Sequence, residues 1–226
     1  MGAAIRLLQP GDPAPAFVLP SVNREGTVSA ADLRGRPFLI GFYRGLHCPF
    51  CRRQLVLLGG VQPILHAGGV ETLAVINTPE ERARLYFRHR PSPVTLLSDP
   101  DCHTHRAFGV PHIELIPEGS SERPEWPYRM TMEQFQAVRI NPNGVLPQPM
   151  NPMEGNIVLN AKDGFELEEA DKVILANHPT QGAGHFLVDA AGIVRWAHLE
   201  ARDGPEGLCT FPTAAQIIAA AGSLAR

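Results

Sequence analysis

The sequence predicts an α/β fold in which a parallel or mixed sheet is covered by helices, and three observations lead to that prediction. Between about residues 37 and 108 the chain alternates short apolar segments with helical ones, in the order β-α-β-α-β-α. Residues 37–43 are almost entirely apolar between Gly35 and Gly45, a pattern typical of a strand buried on both faces. A hairpin pattern follows at residues 185–198, with a turn at 190–192.

The first elements lead up to a long helix. Residues 11–17 are expected to be extended because two prolines exclude a helix there, residues 27–29 form a short strand, and residues 31–35 form one helical turn ending at glycine. After the strand at 37–43, a helix is predicted from Cys48 to about residue 67, with apolar side chains along one side. Gly59-Gly60 and Pro63 predict a kink or interruption, and Gly68-Gly69 predicts the end of the helix.

Two further strand–helix units complete the alternating region. A strand is predicted at residues 71–77, and a helix follows from Pro79 to about residue 89, with the proline in an early position. The third strand covers residues 94–98. A short helix is predicted at residues 102–108, with Asp99 or Asp101 as its cap.

The regular pattern then stops for about seventy residues. Residues 111–180 are rich in proline, only residues 131–139 have a helical pattern, and the segment is too long for a simple loop. We therefore predict one domain over residues 1–226, with an insertion at about 111–180 that lies over the core. Trp126, Tyr128 and Met130 within it either wall a substrate pocket, line a dimer interface or belong to the core. After the hairpin, residues 212–225 are predicted to form an amphipathic helix.

Composition excludes several classes of function. The formal net charge of −3 gives no reason to expect nucleic acid or an anionic membrane as a partner. The sequence has no apolar run of 18 residues and no recognisable signal peptide, so a cytoplasmic location is expected. It also has no flavin, haem or nucleotide motif, and no cofactor is expected. Four cysteines are too few for a disulfide-stapled secreted scaffold.

Two of these cysteines form the motif Cys48-Pro49-Phe50-Cys51. Cys48 follows a buried strand and opens a helix, where unpaired backbone N–H groups and the helix dipole favour a thiolate. Both this position and the CxxC spacing lower the pKa of a cysteine. Cys51 follows one helical turn later, within reach of a disulfide. We therefore expect Cys48 to be the exposed nucleophile and Cys51 to lie deeper and act as the resolving thiol.

Residues next to the motif are candidates for supporting roles. Arg44, Arg52 and Arg53 add positive charge near Cys48, and Pro49 suits the first helical turn, where its missing N–H costs nothing. His47 has two interpretations of equal weight. It stabilises the thiolate or carries a proton, or it is a loop histidine turned to solvent.

The remaining cysteines leave alternatives open. Cys102 follows the third strand and lies at the same sheet edge as Cys48, roughly 10 Å away if one strand separates the two. It is either a second redox residue or an ordinary residue at a helix start. Together with His103 and His105 it could also complete a metal site with the CxxC pair. Nothing local marks Cys209, for which a structural role is favoured.

Four segments of the chain resemble one known family. They are GDPAPAFVLP at 11–20, FYRGLHCPFC at 42–51, LSDPD at 97–101 with AFGV at 107–110, and FLVDAAGIV at 186–194. Together they are similar to the peroxiredoxin superfamily, in its AhpC/TSA or redoxin branch. The resemblance implies a thioredoxin-like (peroxiredoxin-type) three-layer fold with a mixed central sheet, and a thiol-dependent peroxidase with Cys48 as peroxidatic cysteine.

The chain departs from this family at three positions. Peroxiredoxins carry Pro-x-x-x-Thr/Ser-x-x-Cys, but Gly41 stands at the proline position here and Gly45 at the hydroxyl position. The family's arginine on the late hairpin would fall near Ala183, where this chain has none. Arg44 or Arg129 are the substitutes considered. The CPFC loop is similar to that of thioredoxin and glutaredoxin, which keeps thiol–disulfide exchange open.

Three hypotheses of function follow. The first is a peroxidase that reduces hydrogen peroxide or organic hydroperoxides through Cys48, with Cys51 resolving and a thioredoxin- or glutaredoxin-type partner as reductant. The second is a thiol–disulfide oxidoreductase that uses the same cysteines on disulfide substrates. The third is a metal-binding protein of the thioredoxin fold that uses the pair and a histidine. A homodimer stays open under each hypothesis.

Overall fold

The computed structural model describes residues 6–120 and 129–225. Its strands and α-helices, in chain order, are β1 (Val18–Pro20), β2 (Thr27–Ser29), β3 (Phe38–Tyr43), α1 (Pro49–Ala67), β4 (Glu71–Ile76), α2 (Glu80–Arg88), β5 (Thr95–Ser98), α3 (His103–Ala107), β6 (Glu114–Leu115), β7 (Arg129–Met130), α4 (Met132–Ala137), α5 (Pro152–Lys162), α6 (Glu169–Asn177), β8 (Gly184–Val188), β9 (Val194–Leu199) and α7 (Ala214–Gly222).

A mixed five-stranded sheet of order β5-β4-β3-β8-β9 forms the middle layer. Strands β3, β4 and β5 are parallel, whereas β8 runs antiparallel to β3 and β9 runs antiparallel to β8. Every residue of β3 is buried, as the apolar run predicts for a central strand. Leu39 and Tyr43 belong to the apolar cluster on one face, and Ile40 and Phe42 belong to the cluster on the other. The predicted α/β class with a mixed sheet is confirmed.

The two faces are covered by different parts of the chain. Buried side chains of α1, α2 and α7 join the first cluster, so these helices form one outer layer. The second cluster contains residues of the N-terminal hairpin β1–β2, a short 3₁₀ helix at Ala30–Leu33, and Phe108 after α3. Helices, sheet and this mixed layer make the three layers that the resemblance implies.

Helix α1 connects the sheet to the CxxC motif. It begins directly after the loop that follows β3, with Cys48 as its N-cap and Pro49 in its first turn. It continues for 19 residues with Pro63 inside it, so the predicted interruption is wrong, whereas the kink that was its alternative stays a prediction. Its buried side, with Leu58 and Leu65 almost fully covered, packs in the core and holds the helix together despite the hydrogen bond that the proline removes. It ends at Ala67 with Gly68 as its C-cap, followed by Gly69 with a φ of 75°.

The cap of α3 is settled in favour of Asp99. Its buried carboxylate accepts the backbone N–H groups of His103, Thr104 and His105, and also pairs with the ring of His105. Asp101 is exposed. The cap fixes the end of β5 against the start of α3.

The segment 111–180 contains more regular structure than predicted. The helical pattern at 131–139 corresponds to α4, but α5 and α6 were not predicted. The proline content of the segment argues against helices, but Pro152 lies in the first turn of α5, where proline is tolerated, and Asn151 caps that helix. Met130 is fully buried in the core, whereas Trp126 and Tyr128 lie outside the described residues. A single domain interrupted at 111–180 stays a prediction.

The C-terminal elements follow the predicted order. The hairpin β8–β9 and helix α7 are both present, with Thr213 capping α7 through its hydroxyl. The side-chain amide of Gln54 on α1 donates to the carbonyl of Pro212, which holds the start of α7 against α1. No helix in the described part of the chain is long and apolar enough to cross a membrane.

Candidate active site

The sulfur of Cys48 lies where the end of β3 meets the start of α1. It accepts the backbone N–H of Cys51 at 3.2 Å and the Nε–H of Arg44 at 3.5 Å. Burial alone would raise the pKa of the Cys48 thiol. The thiol of Cys51, the charge and hydrogen bond of Arg44 and the backbone N–H of Cys51 outweigh burial, and they lower that pKa from 9.0 to about 6. Cys48 is therefore a thiolate at neutral pH.

Cys51 differs from Cys48 in its protonation. Burial, the hydrogen bond to Cys48 and the negative charge of Cys48 raise the pKa of the Cys51 thiol well above its ordinary value. Neither cysteine is in a disulfide, and each is only 1% exposed. The prediction that Cys48 is exposed is therefore wrong. Cys48 is as buried as Cys51, because α1 and the loop before it pack around the sulfur. Cys48 differs in lining a cavity, described below.

Arg44 is the cation at this site. Its Nη1 donates to the carbonyl of Gln181 at 3.1 Å, and its Nη2 donates to a carboxylate oxygen of Glu200 at 3.0 Å. Glu200 is 3% exposed, so the ion pair holds the guanidinium in a fixed orientation in a largely buried place. Ala183 is buried at the late-hairpin position. The chain thus provides its guanidinium from the end of β3.

The other two nearby arginines point elsewhere. Arg52 donates to the carbonyl of Leu46 and pairs with Asp163, and Arg53 pairs with the same carboxylate at 2.6 Å. Asp163 follows α5, so these pairs attach the inserted segment to α1 rather than supply charge to the sulfur. Arg129, the other substitute considered, pairs with Glu114 and does not line the cavity.

His47 lies inside the structure rather than in solvent. It is 6% exposed and lines the cavity beside Cys48, so the solvent-facing interpretation is wrong. Burial, followed by the charge of Arg44, lowers the pKa of His47 from 6.5 to about 4. The imidazole is therefore neutral at pH 7 and provides no positive charge for the thiolate. Its Nδ1 has no hydrogen-bond partner within residues 6–120 and 129–225.

Gly41 and Gly45, the two glycines at which the chain departs from the peroxiredoxin motif, have no room for side chains. A Cβ at Gly41 would lie 2.5 Å from the phenol oxygen of Tyr43, which is hydrogen-bonded to Nε2 of His185 at 2.7 Å. A Cβ at Gly45 would overlap the carbonyl oxygen of Asn77 and lie 2.9 Å from Nδ1 of His47. A residue with a hydroxyl at position 45 is thus incompatible with this packing.

A cavity of about 610 Å³ opens next to Cys48. Arg44, His47, Glu200 and Cys209 form its polar end. Its walls are mainly apolar and come from the segment 111–180, with contributions that include Leu115, Met132, Phe135, Met153, Ile157 and Leu175. The inserted segment therefore builds a large part of the surface that a molecule near the sulfur would contact, a role that the sequence left undefined.

Of the two distant cysteines, Cys209 lies at the cavity and Cys102 does not, contrary to the expectation from sequence. Cys102 is fully buried and does not line the cavity, and burial followed by the charge of Asp99 raises its pKa to about 12. These features oppose the second redox role considered for it. Cys209 lines the cavity, and Nη2 of Arg44 donates to its sulfur at 3.4 Å. No local pattern pointed to Cys209, because the loop after β9 brings it to Arg44.

A metal centre finds no support in the same region. Within the described ranges no group of three or more His, Cys, Asp and Glu residues is arranged to hold a metal ion. His105, one of the ligands considered, is instead bonded to Asp99 and to the carbonyl of Tyr43.

Comparison with known proteins agrees with the sequence motifs. Residues 10–147 match the model of the AhpC/TSA family. Over 103 residues, 46% of this chain, the sequence is 33% identical to the putative peroxiredoxin bcp of Haemophilus influenzae and 32% identical to Peroxiredoxin Bcp of Escherichia coli K12. A putative peroxiredoxin of Mycobacterium tuberculosis is 31% identical over the same length. The matches span 65–66% of the length of these relatives.

Solved structures share the fold at lower identity. Mycobacterium bovis AhpC superposes with a TM-score of 0.56 at 13% identity, over 97% of this chain and 94% of its own. Peroxidoxin BcpB of Mycobacterium tuberculosis gives 0.54 at 14% identity, over 96% and 97%. A putative thiol:disulfide interchange protein DsbE of Chlorobium tepidum gives 0.52 at 20% identity, over 95% and 99%. The predicted thioredoxin-like three-layer fold is confirmed, and with the match over residues 10–147 the chain belongs to the AhpC/TSA family.

Proposed function

We propose that this chain is a thiol-dependent peroxidase that reduces hydrogen peroxide or organic hydroperoxides through Cys48, with Cys51 as resolving thiol. The observation that carries the proposal is the position of the Cys48 sulfur. It is a thiolate that accepts bonds from Arg44 and from the start of α1, and it lines a cavity large enough for a small organic molecule.

The first step is attack on the peroxide bond. The Cys48 thiolate attacks one oxygen of ROOH, the O–O bond breaks, and the other oxygen leaves as an alkoxide that takes up a proton to give ROH. Cys48 becomes a sulfenic acid. The guanidinium of Arg44 is adjacent to the sulfur and oriented by Glu200, so it supplies positive charge where negative charge moves onto the leaving oxygen.

The second step uses the thiol that is kept protonated in the first. Burial, the hydrogen bond to Cys48 and the negative charge of Cys48 raise the pKa of Cys51, and that charge is lost when Cys48 becomes a neutral sulfenic acid. Cys51 then attacks the sulfenic sulfur and releases water, leaving a Cys48–Cys51 disulfide. An external dithiol of the thioredoxin or glutaredoxin type reduces that disulfide and restores both thiols.

The cavity favours substrates with an apolar part. Most of the lining side chains that come from residues 111–180 are aliphatic or aromatic, and Arg44, which also lines the cavity, is bonded to the Cys48 sulfur. An organic hydroperoxide can therefore place its peroxide group against the sulfur and bury its apolar part against α4, α5 and α6. Hydrogen peroxide has no such part, and it would depend on the contacts with Arg44 and Cys48 alone.

The test compares two peroxides on fully reduced protein. We expect both hydrogen peroxide and cumene hydroperoxide to react orders of magnitude faster than with a free thiolate, and Cys48→Ser to abolish the reaction. Cys102→Ser is the matched control, since it removes a buried thiol away from the cavity, and it is expected to react like the wild type. Rates no higher than those of a free thiolate would contradict the proposal.

Thiol–disulfide exchange is the second candidate. It is favoured by the CxxC pair at a helix start, where one sulfur is a thiolate and the other stays protonated. Under this hypothesis the Cys51→Ser variant would accumulate mixed disulfides between Cys48 and a protein substrate that contains a disulfide. Its reaction with peroxide would be slow. The cytoplasmic location, the single domain and the homodimer stay predictions beside either function.

A further inference from the structure

One guanidinium edge in this structure holds two cysteine sulfurs. Nε–H of Arg44 donates to Sγ of Cys48 at 3.5 Å, and Nη2 of the same side chain donates to Sγ of Cys209 at 3.4 Å. Nε–H and the adjacent N–H of Nη2 are parallel, and in ion pairs this edge binds the two oxygens of one carboxylate. The two sulfurs occupy the places of those two oxygens, so they are neighbours on the same side of Arg44.

Glu200 keeps this arrangement in place from the opposite side. Its carboxylate pairs with the Nη1–Nη2 end of the guanidinium, which leaves the Nε–Nη2 edge for the sulfurs. The same carboxylate accepts the backbone N–H of Cys209 at 3.3 Å. Arg44 and Cys209 are therefore positioned by one buried carboxylate, although Arg44 follows β3 and Cys209 lies in the loop after β9.

The two sulfurs also share their surroundings. Cys48 and Cys209 both line the cavity, together with neutral His47, whose Nδ1 has no bonded partner among the residues described. Cys209 is free and 4% exposed, so it is shielded from bulk solvent but faces the space where Cys48 would be oxidised. The backbone is in the left-handed region at both ends of the loop that carries Cys209, with a φ of 55° at Ala201 and 62° at Cys209.

We propose that Cys209 is a second resolving thiol for Cys48, an inference that rests on the peroxidase function proposed above. The Cys209 sulfur attacks the sulfenic sulfur of oxidised Cys48, the S–O bond breaks, and the thiol proton leaves with the hydroxyl group as water. The product is a Cys48–Cys209 disulfide at the cavity wall, and Cys51 stays a thiol. The external dithiol that reduces one disulfide reduces the other.

Chemistry at Arg44 favours the reaction after Cys48 has been oxidised. In the reduced protein the Cys48 thiolate competes for the guanidinium. Burial raises the pKa of Cys209, the charge of Arg44 lowers it, and the charges of Glu200 and of the Cys48 thiolate raise it further. Formation of the sulfenic acid removes that charge, whereas Arg44 keeps its contact with Cys209. Because the two sulfurs lie along one edge of the same planar group, a side-chain rotation at Cys48 or Cys209 brings them together while Arg44 stays paired with Glu200.

Disulfide mapping in a Cys51→Ser background tests the proposal. The reduced variant is treated with one equivalent of hydrogen peroxide, alkylated, digested and analysed by mass spectrometry. We expect the Cys48 and Cys209 peptides to be linked in most molecules, and the intact mass to fall by about 2 Da through loss of two hydrogens. In Cys51→Ser/Cys209→Ser the linkage is lost, and the Cys48 sulfenic acid persists for capture by dimedone.

Two arms separate failure of this inference from failure of the peroxidase function. Cys51→Ser/Cys102→Ser is the matched control and is expected to keep the linkage. Oxidised Cys48 beside a fully alkylatable Cys209 would overturn the inference and leave the peroxidase standing. If peroxide does not oxidise Cys48, diamide is used instead, since it joins neighbouring thiols without peroxide chemistry. Linkage with diamide then supports the pairing, and its absence overturns it.

Discussion

Removing the cation beside Cys48 should slow the reactions of the Cys48 sulfur, because it raises the pKa of that thiol. Arg44→Met alone would leave the carboxylate of Glu200, 3% exposed, without its partner, and an unpaired buried charge costs about 3–5 kcal/mol of stability. The double variant Arg44→Met/Glu200→Gln removes both charges together. It therefore separates the effect on the thiolate from the effect on folding.

The expected size follows from the groups that lower the pKa of Cys48. Arg44 contributes its charge and one hydrogen bond, whereas the two contributions of Cys51 remain and burial continues to oppose ionisation. We expect the pKa to rise from about 6 toward the ordinary 9.0. A rise of about two pKa units lowers the thiolate fraction at pH 7 from about nine-tenths to about one-tenth. The rate of alkylation of Cys48 at that pH should therefore fall roughly tenfold.

Alkylation by iodoacetamide as a function of pH measures this pKa without peroxide. The wild type should lose reactivity as the pH falls through about 6, because the thiolate is present above its pKa and is protonated below it. The double variant should lose reactivity at a higher pH. Arg53→Met is the matched control, since its guanidinium pairs with Asp163 rather than with the sulfur. An inflection in the double variant within about half a unit of the wild type would refute the reasoning.

Three further outcomes are expected. Gly45→Thr should not accelerate the peroxide reaction and should destabilise the fold by about 1–3 kcal/mol in urea titrations, because its side chain overlaps the carbonyl of Asn77; a faster and equally stable variant would contradict this. Ile157→Asp, at an exposed position of the cavity wall, should raise KM for cumene hydroperoxide roughly fivefold and leave hydrogen peroxide unaffected, and equal effects on both would argue against binding in the cavity. Burial, then the charge of His198, lowers the pKa of His185 to about 3, so the folded state stays neutral there while the unfolded chain takes up a proton below about pH 6.5. His185 alone should therefore lower the free energy of unfolding by up to about 1.4 kcal/mol per pH unit below pH 6.5, in addition to the contribution of His47, and His185→Gln should reduce the total slope in denaturation measured at pH 4.5 and 7.

The parts of the site that depend on neighbouring residues were predictable from sequence. The buried strand, the helix start at Cys48 and the spacing to Cys51 are encoded within residues 37–51, where apolar patterning, Pro49 and the CxxC motif agree. The late hairpin was predicted for the same reason, because its alternation and its turn are local.

The parts that depend on distant residues were not predictable. Glu200 and Cys209 meet Arg44 only because β8 pairs with β3 and the loop after β9 turns back over the sheet edge. Helices α5 and α6 lie in a proline-rich segment, and Asn151 and Glu168 at their N-caps are the local signals of their starts. Their apolar side chains face the cavity as well as the core, which weakens the one-sided pattern that identifies a surface helix.

Packing around Gly41 has a consequence for how such a sequence could change over time. The space that a side chain at position 41 would need is taken by the phenol of Tyr43, and that phenol is bonded to His185 on the adjacent strand. A single substitution toward the proline that the family usually carries there would meet a buried ring and would also remove an N–H from the centre of the sheet. A larger residue at position 41 therefore requires matching changes at Tyr43 and His185, on two adjacent strands. Substitution of Gly41 alone is expected to destabilise the sheet, so the glycine is constrained by residues that are distant from it in sequence as well as by its neighbour.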